Sequence, residues 1–240
     1  MKVSIITIVY NNVATIASCL KSVNDQTYKN IEHIVIDGGS NDGTVEVINS
    51  FKDNIAVFIS EKDNGLYNAL NKGIRLASGD IVGILHSDDM FYSSNTISNV
   101  VNSMDKTNAD LLYGNGIYVE RLNTSNIKRV YSSEPFRKKY LKYGWIPLHT
   151  TIFVKSIVFD RYGIYDESYS IASDYDISLR WFLVEDIKKV FLDEFIVKMR
   201  LGGKSTTIRL QKRKSAQDLK IIKKHGLPGY FTLALSLIHI

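Results

Sequence analysis

The chain has 240 residues, 45% hydrophobic and 23% charged, which suffices for one full-sized α/β domain and excludes disordered and fibrous classes. Its single cysteine, Cys19, excludes an intramolecular disulfide and any cysteine-built zinc or iron–sulfur site within the chain, and fits a reducing compartment. The net charge of +5 is uneven: ten Lys or Arg and one acid between Lys198 and His225 give that segment +9 and the remainder −4, so an anionic partner, nucleic acid or a membrane surface, competes with a merely solvated helix face.

Val3 to Val9 reads as a first strand; the apolar start is too short, and lacks the small-residue cleavage site, for a signal peptide. Asn12 is placed to cap a helix with Ile16, Leu20 and Val23 on its apolar side, and Cys19 falls among them as a core residue. Ile31 to Ile36 is a second strand, Thr44 to Phe51 a helix, Ile55 to Ser60 a third strand, Leu66 to Leu76 a helix and Ile81 to Leu85 a fourth strand. This alternation predicts βαβ units on a parallel sheet. After Asp89 the order becomes mixed: a helix over Thr96 to Met104, strands over Leu111 to Val119 and Lys128 to Tyr131, and a Tyr- and Lys-rich stretch to Trp145. The expected fold class is α/β, a doubly wound half over 1–90 joined to a smaller α+β half over 91–205 through a mixed central sheet, with a basic then apolar segment over 206–240. No run reaches the roughly 18 apolar residues of a membrane-spanning helix.

In parallel α/β sheets ligands sit beyond the carboxyl ends of the strands. The four strand ends here carry Tyr10-Asn11-Asn12, Asp37-Gly38-Gly39-Ser40, Glu61-Lys62-Asp63 and His86-Ser87-Asp88-Asp89. Any one of these is an ordinary loop acid; four on one edge mark a site. Asp88 and Asp89 offer the hard oxygens that magnesium or manganese takes alongside substrate phosphates, although Asp89 is also placed to cap the next helix. Asp37, before two glycines, can accept hydrogen bonds from a base or ribose, or cap a helix. Neither G-x-G-x-x-G after the first strand nor G-x-x-x-x-G-K-[ST] is present, which disfavours a dinucleotide fold or a P-loop.

Ser4 to Asn11, Ile36 to Thr44, Asp63 to Gly73, and His86-Ser87-Asp88-Asp89 in the place of a D-x-D metal motif together resemble the inverting glycosyltransferases of family 2 with the GT-A fold. The resemblance continues through Pro147-Leu148-His149, Phe159 to Asp166, Ser173 to Arg180 and Gly202 to Ser205, covering about residues 3 to 205. It implies that Thr7, Tyr10 and Asn11 lie against a nucleotide base, that Asp37 binds the base, that Asp63 lies beside the donor, and that Ser87 and Asp88 reach the ribose and diphosphate. Asp88 would hold Mn2+ or Mg2+, and Asp174 would be the catalytic base. Three positions depart from the pattern: His86 replaces the first acid of D-x-D, Ser173 stands where Glu often precedes the base, and Leu70 replaces an arginine, leaving Lys72 nearest the phosphates. His86, Asp89 and His149 are further candidates.

Sugar transfer from a nucleotide diphosphate needs charge stabilisation on the leaving group and a carboxylate for the acceptor proton. Asp174 opens a helix carrying Ile177, Leu179, Trp181 and Phe182, where the N-terminal dipole favours the ionised form. Gly202 to Ser205 is either a closing loop or a turn after a strand over Val197 to Leu201. The expected activity is therefore transfer, with inversion, from a nucleotide sugar such as a UDP-sugar to a lipid-linked saccharide in bacterial surface-polysaccharide assembly. The expected location is cytoplasmic and peripheral on the membrane through the C-terminal segment, with a homodimer contact or packing on the catalytic domain as alternatives for that segment. A polyprenyl-phosphate sugar transferase, a nucleotidyltransferase and a non-catalytic binding module are the rival readings. Nucleic acid is not expected as a partner, since no recognised binding module accompanies the basic segment.

Overall fold

The computed structural model describes residues 1–202, 208–229 and 232. Val3–Val9 (β1) is buried at every position, as a strand covered on both faces must be. It pairs in parallel with Ile31–Asp37 (β2) and Ile81–Ile84 (β4), and Val57–Ser60 (β3) extends the sheet beyond β2. Val13–Asn24 (α1), Thr44–Asn49 (α2) and Leu66–Leu76 (α3) make the crossovers.

The second half contains Met90–Phe91 (β5), Thr96–Thr107 (α4), Leu111–Val119 (β6), Ile127–Tyr131 (β7), Phe153–Lys155 (β8), Ser156–Tyr162 (α5), Ser173–Leu183 (α6), Lys189–Arg200 (β9) and Ile208–Lys224 (α7). The strand order is β3-β2-β1-β4-β8-β6-β9-β5, with β7 paired to β6. β8 runs antiparallel to both β4 and β6, and β6 runs parallel to β9, so the sheet is mixed as expected.

Period-two alternation decides which side chain faces which layer. Ile6 and Ile8 of β1 and Ile34 and Ile36 of β2 meet Tyr67, Leu70 and Ile74 of α3 in a core that also takes Leu179 and Phe182 of α6 and Ile221 and Ile222 of α7. Val3 and Ile5 meet Cys19 and Val23 of α1 and Val100 and Met104 of α4 on the opposite face. A Cβ added at Gly73 would come within 2.5 Å of Ile6 Cγ2, so α3 lies directly on β1 because that position is glycine.

Several expectations are corrected. The strand expected over Val197 to Leu201 is the end of the twelve-residue β9, and α2 stops at Asn49. β5, β8 and α5 were not foreseen. Asn12 does occupy the N-cap of α1, where its carbonyl accepts the Thr15 and Ile16 N–H groups. Its side chain does not cap the helix: it donates to Ser87 Oγ and accepts from the Thr15 hydroxyl.

The described part of the basic segment, α7, does not stand apart from the catalytic body. Ile221 and Ile222 are fully buried, and Asp176 of α6, with no exposure, receives Arg180 at 2.9 Å, Lys224 at 3.0 Å and His225 at 3.1 Å. Gln217 adds bonds to the Ile171 N–H and Ser170. The loop expected over Gly203 to Ser205 and the apolar run of Tyr230, Phe231 and residues 233–240 lie outside the described residues.

Candidate active site

The carboxyl ends of β1 to β4 open on a cleft walled by the start of α6. Tyr10 is 50% exposed at the end of β1. Opposite it, a Cβ on Gly38 would stand 3.4 Å from Tyr10 Cδ2 and 3.1 Å from Asp63 Oδ2, so the glycine lets β1, β2 and the chain after β3 converge. Asn11 adopts φ 46°, a left-handed conformation asparagine tolerates; its N–H donates to Ser40 Oγ and its Oδ1 accepts from the Asn41 N–H. Lys72 pairs with both Asp63, at 2.5 Å, and Glu61, at 2.7 Å, and these bonds raise its ammonium above the usual lysine range.

Asp37 has no exposed surface, and its carboxylate accepts from the Gly39 and Ser40 N–H groups and from the Ser40 and Ser60 hydroxyls. It therefore builds the turn after β2. Thr7 also departs from its expected place. It points into the α1 layer, where its hydroxyl lies 3.0 Å from His33 Nε2 and 3.9 Å from Cys19 Sγ. Odd-numbered β1 residues face that layer, so adjacency to Tyr10 in sequence does not bring Thr7 to the cleft.

At the end of β4 the four residues separate. Ser87 is buried, its hydroxyl bonded by Asn12. Asp88 keeps a quarter of its side chain exposed and lies 3.6 Å from Arg121 Nη1. Asp89 is buried, accepts the Arg200 N–H at 3.1 Å, and is pushed upward by desolvation and then by Asp88; it caps no helix, since α4 starts after Asn95. The Arg200 guanidinium binds the carbonyls of Asp88 and Arg121 and the Ser18 hydroxyl, bracing the whole turn.

His86 Nε2 lies 2.9 Å from His149 Nε2, with the rings edge to face at 61°. His149 Nδ1 is 3.4 Å from Asp174 Oδ2. The Tyr67 hydroxyl donates to Asp174 Oδ1 at 2.9 Å. Desolvation lowers both imidazoles, His86 to about 4, so they are neutral at pH 7. One edge-to-edge series thus runs from the β4 turn to the first turn of α6. Asp174 remains a quarter exposed at its end.

Asp176, two residues on, has the opposite character. Burial opposes its ionisation, but hydrogen bonds from His225 and Lys224 and the charge of Arg180 outweigh it and hold the carboxyl far below the usual range. With no exposed surface, it offers no oxygen to an incoming acceptor.

Among the described residues no group of three or more His, Cys, Asp or Glu side chains is spaced to cage a metal ion. Asp88, a hard-oxygen ligand at the cleft, fits instead a cation completed by donor phosphate oxygens. Tyr67, Arg121 and Arg200 were not singled out in the sequence. Tyr67 sits inside the Asp63 to Gly73 motif, but its partner is 107 residues away, a separation no local pattern encodes.

A family model described as glycosyl transferase family 2 matches residues 4–167. The chain is 37% identical over 185 residues to the uncharacterized glycosyltransferase Rv1514c of Mycobacterium tuberculosis, covering 76% of this chain and 69% of that one. It is 28% identical over 210 residues to the PGL/p-HBAD biosynthesis glycosyltransferase of Mycobacterium bovis, covering 85% and 79%. Among solved structures, S. aureus TarS 1–349 in complex with UDP superposes with a TM-score of 0.73 at 17% identity over 98% of this chain and 68% of that one. The mannosyltransferase PcManGT of Pyrobaculum calidifontis, in complex with GDP-Man and Mn2+, gives 0.69 at 16% identity over 99% and 73%. Against a longer TarS chain this one spans 43% of the length. With more than half the chain matched and this mixed sheet shared with those structures, the protein belongs to glycosyl transferase family 2 and has the GT-A fold.

Proposed function

We propose that the protein transfers a sugar with inversion from a UDP-sugar to the hydroxyl of a saccharide acceptor carried on a lipid, in bacterial surface-polysaccharide assembly on the cytoplasmic side. The observation that carries the reading is Asp174: a quarter-exposed carboxylate at a helix N-terminus, held from two sides by Tyr67 and His149, while the buried Asp176 is taken up by Arg180, Lys224 and His225. TarS, one neighbour in fold, is solved with UDP and with UDP-GlcNAc, which favours a uridine donor here.

In this mechanism Tyr10 and Asn11 line the base subsite, with Asp37 shaping the turn behind them. Asp63 and Lys72, the latter shared with Glu61, flank the donor. Asp88 would hold Mn2+ or Mg2+ together with the diphosphate oxygens, and that cation supplies positive charge to the leaving group when bound. Asp174 accepts the acceptor hydroxyl proton as its oxygen attacks the anomeric carbon from the face opposite the diphosphate. The bond from that carbon to the diphosphate breaks, and its electron pair leaves with UDP. A single base suffices because no covalent sugar–enzyme intermediate forms.

The test is incubation with a panel of UDP- and GDP-sugars, Mn2+ and a lipid-linked saccharide extract. UDP release coupled to product with an inverted anomeric centre, lost in Asp174→Asn, is the expected result. Retention of configuration, or full turnover in Asp174→Asn, would overturn the assignment.

A further inference from the structure

The transfer reading leaves the positive charge of the C-terminal segment unused. On α7, Lys212, Arg213, Ala216, Lys220 and Lys223 recur at intervals of three and four, so they share one face, and all five are exposed. The only acid on the helix, Asp218, is buried on the opposite side and paired with Lys214. The inner face also carries Ile221 and Ile222, and Lys224 is engaged by Asp176 and Asp166. The outer stripe is therefore cationic without an intervening carboxylate.

A second basic element adjoins it. After α7 the chain folds back: a Cβ at Gly229 would stand 3.5 Å from Lys223 Cε, and the Thr232 hydroxyl donates to the Lys142 carbonyl. Three residues span at most about 10 Å, so Lys142 lies close to the end of the stripe. Lys142 belongs to the 3-10 turn Lys138–Tyr143, preceded by Arg137, where Lys139, Lys142 and Tyr143 are also exposed. The acids bordering this turn are Glu134 and Glu185, the latter paired with Lys138. Both basic elements pack on α6, the helix that carries Asp174.

We propose that the outer face of α7 and the turn Lys138–Tyr143 form one docking surface for an anionic lipid bilayer. A cationic helix face with a basic turn beside it suits a plane of headgroups, and an exposed tyrosine among lysines suits the membrane interface. The sequence from Tyr230 to Ile240 contains no Lys, Arg, Asp or Glu, a composition compatible with lipid and foreign to a nucleic-acid interface. Among the described residues no helix is long and apolar enough to cross a membrane, so the contact is lateral. Docking in this way brings the catalytic helix to the bilayer whatever sugar is transferred, and the surface stands or falls apart from the chemistry.

The experiment is co-sedimentation of the full chain with phosphatidylglycerol and with phosphatidylcholine vesicles at two salt concentrations. Wild type is expected to bind the anionic vesicles alone, and less at high salt. Each basic residue near such a surface strengthens binding about fivefold, so Lys212→Gln/Arg213→Gln/Lys220→Gln/Lys223→Gln should weaken it more than a hundredfold. Lys139→Gln/Lys142→Gln, a milder variant that keeps the test open if the first fails to fold, should weaken it at least tenfold. Lys106→Gln, on α4 against the other sheet face, should bind as wild type. Equal binding of wild type to neutral vesicles, unchanged binding by both multiple variants, or tighter binding to a DNA duplex than to the vesicles would overturn the proposal.

Discussion

The Tyr67 hydroxyl donates a 2.9 Å hydrogen bond to Asp174 Oδ1 across 107 residues of chain, and it does so from a buried ring stacked on Tyr165 at 5.5 Å. Asn71 bonds the backbone of Tyr165, and Asn68 and Asn71 both donate to Glu167, fixing α3 against the segment before α6. Tyr67 is thus a positioning residue for the base. Tyr67→Phe should lower kcat about tenfold, the worth of one hydrogen bond to a charged group, with donor KM and melting temperature nearly unchanged. An unchanged kcat would remove this role.

The two acids of α6 should fail in different ways. Asp174→Asn is expected to cost about 10² or more in turnover, the usual worth of a positioned base, at wild-type stability. Asp176→Ala should instead destabilise the fold by about 2–4 kcal/mol, below the full cost of breaking a buried pair because Lys224 is nearly half exposed. Denaturant unfolding beside steady-state kinetics separates them. If Asp176→Asn abolishes turnover in a fully stable protein and Asp174→Asn does not, the base is Asp176.

Asp88 and its brace differ in degree. Asp88→Ala should abolish Mn2+-dependent UDP binding in calorimetry while leaving the fold intact, since Arg200 holds the turn through the Asp88 carbonyl, not its side chain. Arg200→Lys loses the fork that joins the Asp88 and Arg121 carbonyls to Ser18, so UDP affinity should fall about tenfold with kcat at saturation close to wild type. Wild-type UDP affinity in either variant counts against the assigned role.

Glu32 should contribute to acid sensitivity alongside Asp176. Burial opposes its ionisation, but bonds from Lys2, Ser4 and Ser78 outweigh that and lower it to about 2. A carboxyl depressed on folding contributes stability above its unfolded value of about 4.3, lost as pH falls towards 2. Glu32→Gln should therefore flatten the decline in unfolding free energy over that range. An identical acid limb in the variant would show that other carboxylates govern it.

What the sequence disclosed follows its periods. Val3–Val9, Leu66–Leu76 and Leu111–Val119 begin and end where apolar patterning placed them. β5 and β8, two and three residues long, are too short to show a period and exist through pairing with β9, β4 and β6. The first half of β9 was missed because Asp193 and Glu194 interrupt its apolar run. The clustering of polar strand ends was legible, but the direction of each side chain was not: Thr7 and Ser87 turn to α1, and Asp37 turns inward. The series His86, His149, Asp174 and Tyr67 joins four separate segments, and only folding brings them together.

Asp176 sets where this catalytic unit can be cut. A chain ended at Ser205 would retain the whole stretch from Tyr10 to Arg200, yet Asp176 would keep Arg180 and lose Lys224 and His225, and the loss of Ile221 and Ile222 would leave a hole in the core that α6 and α7 share. The turn that presents Asp174 would then rest on a wall with one side missing. Loss of activity in such a fragment would report a loosened catalytic helix, so the minimal working enzyme extends at least through His225.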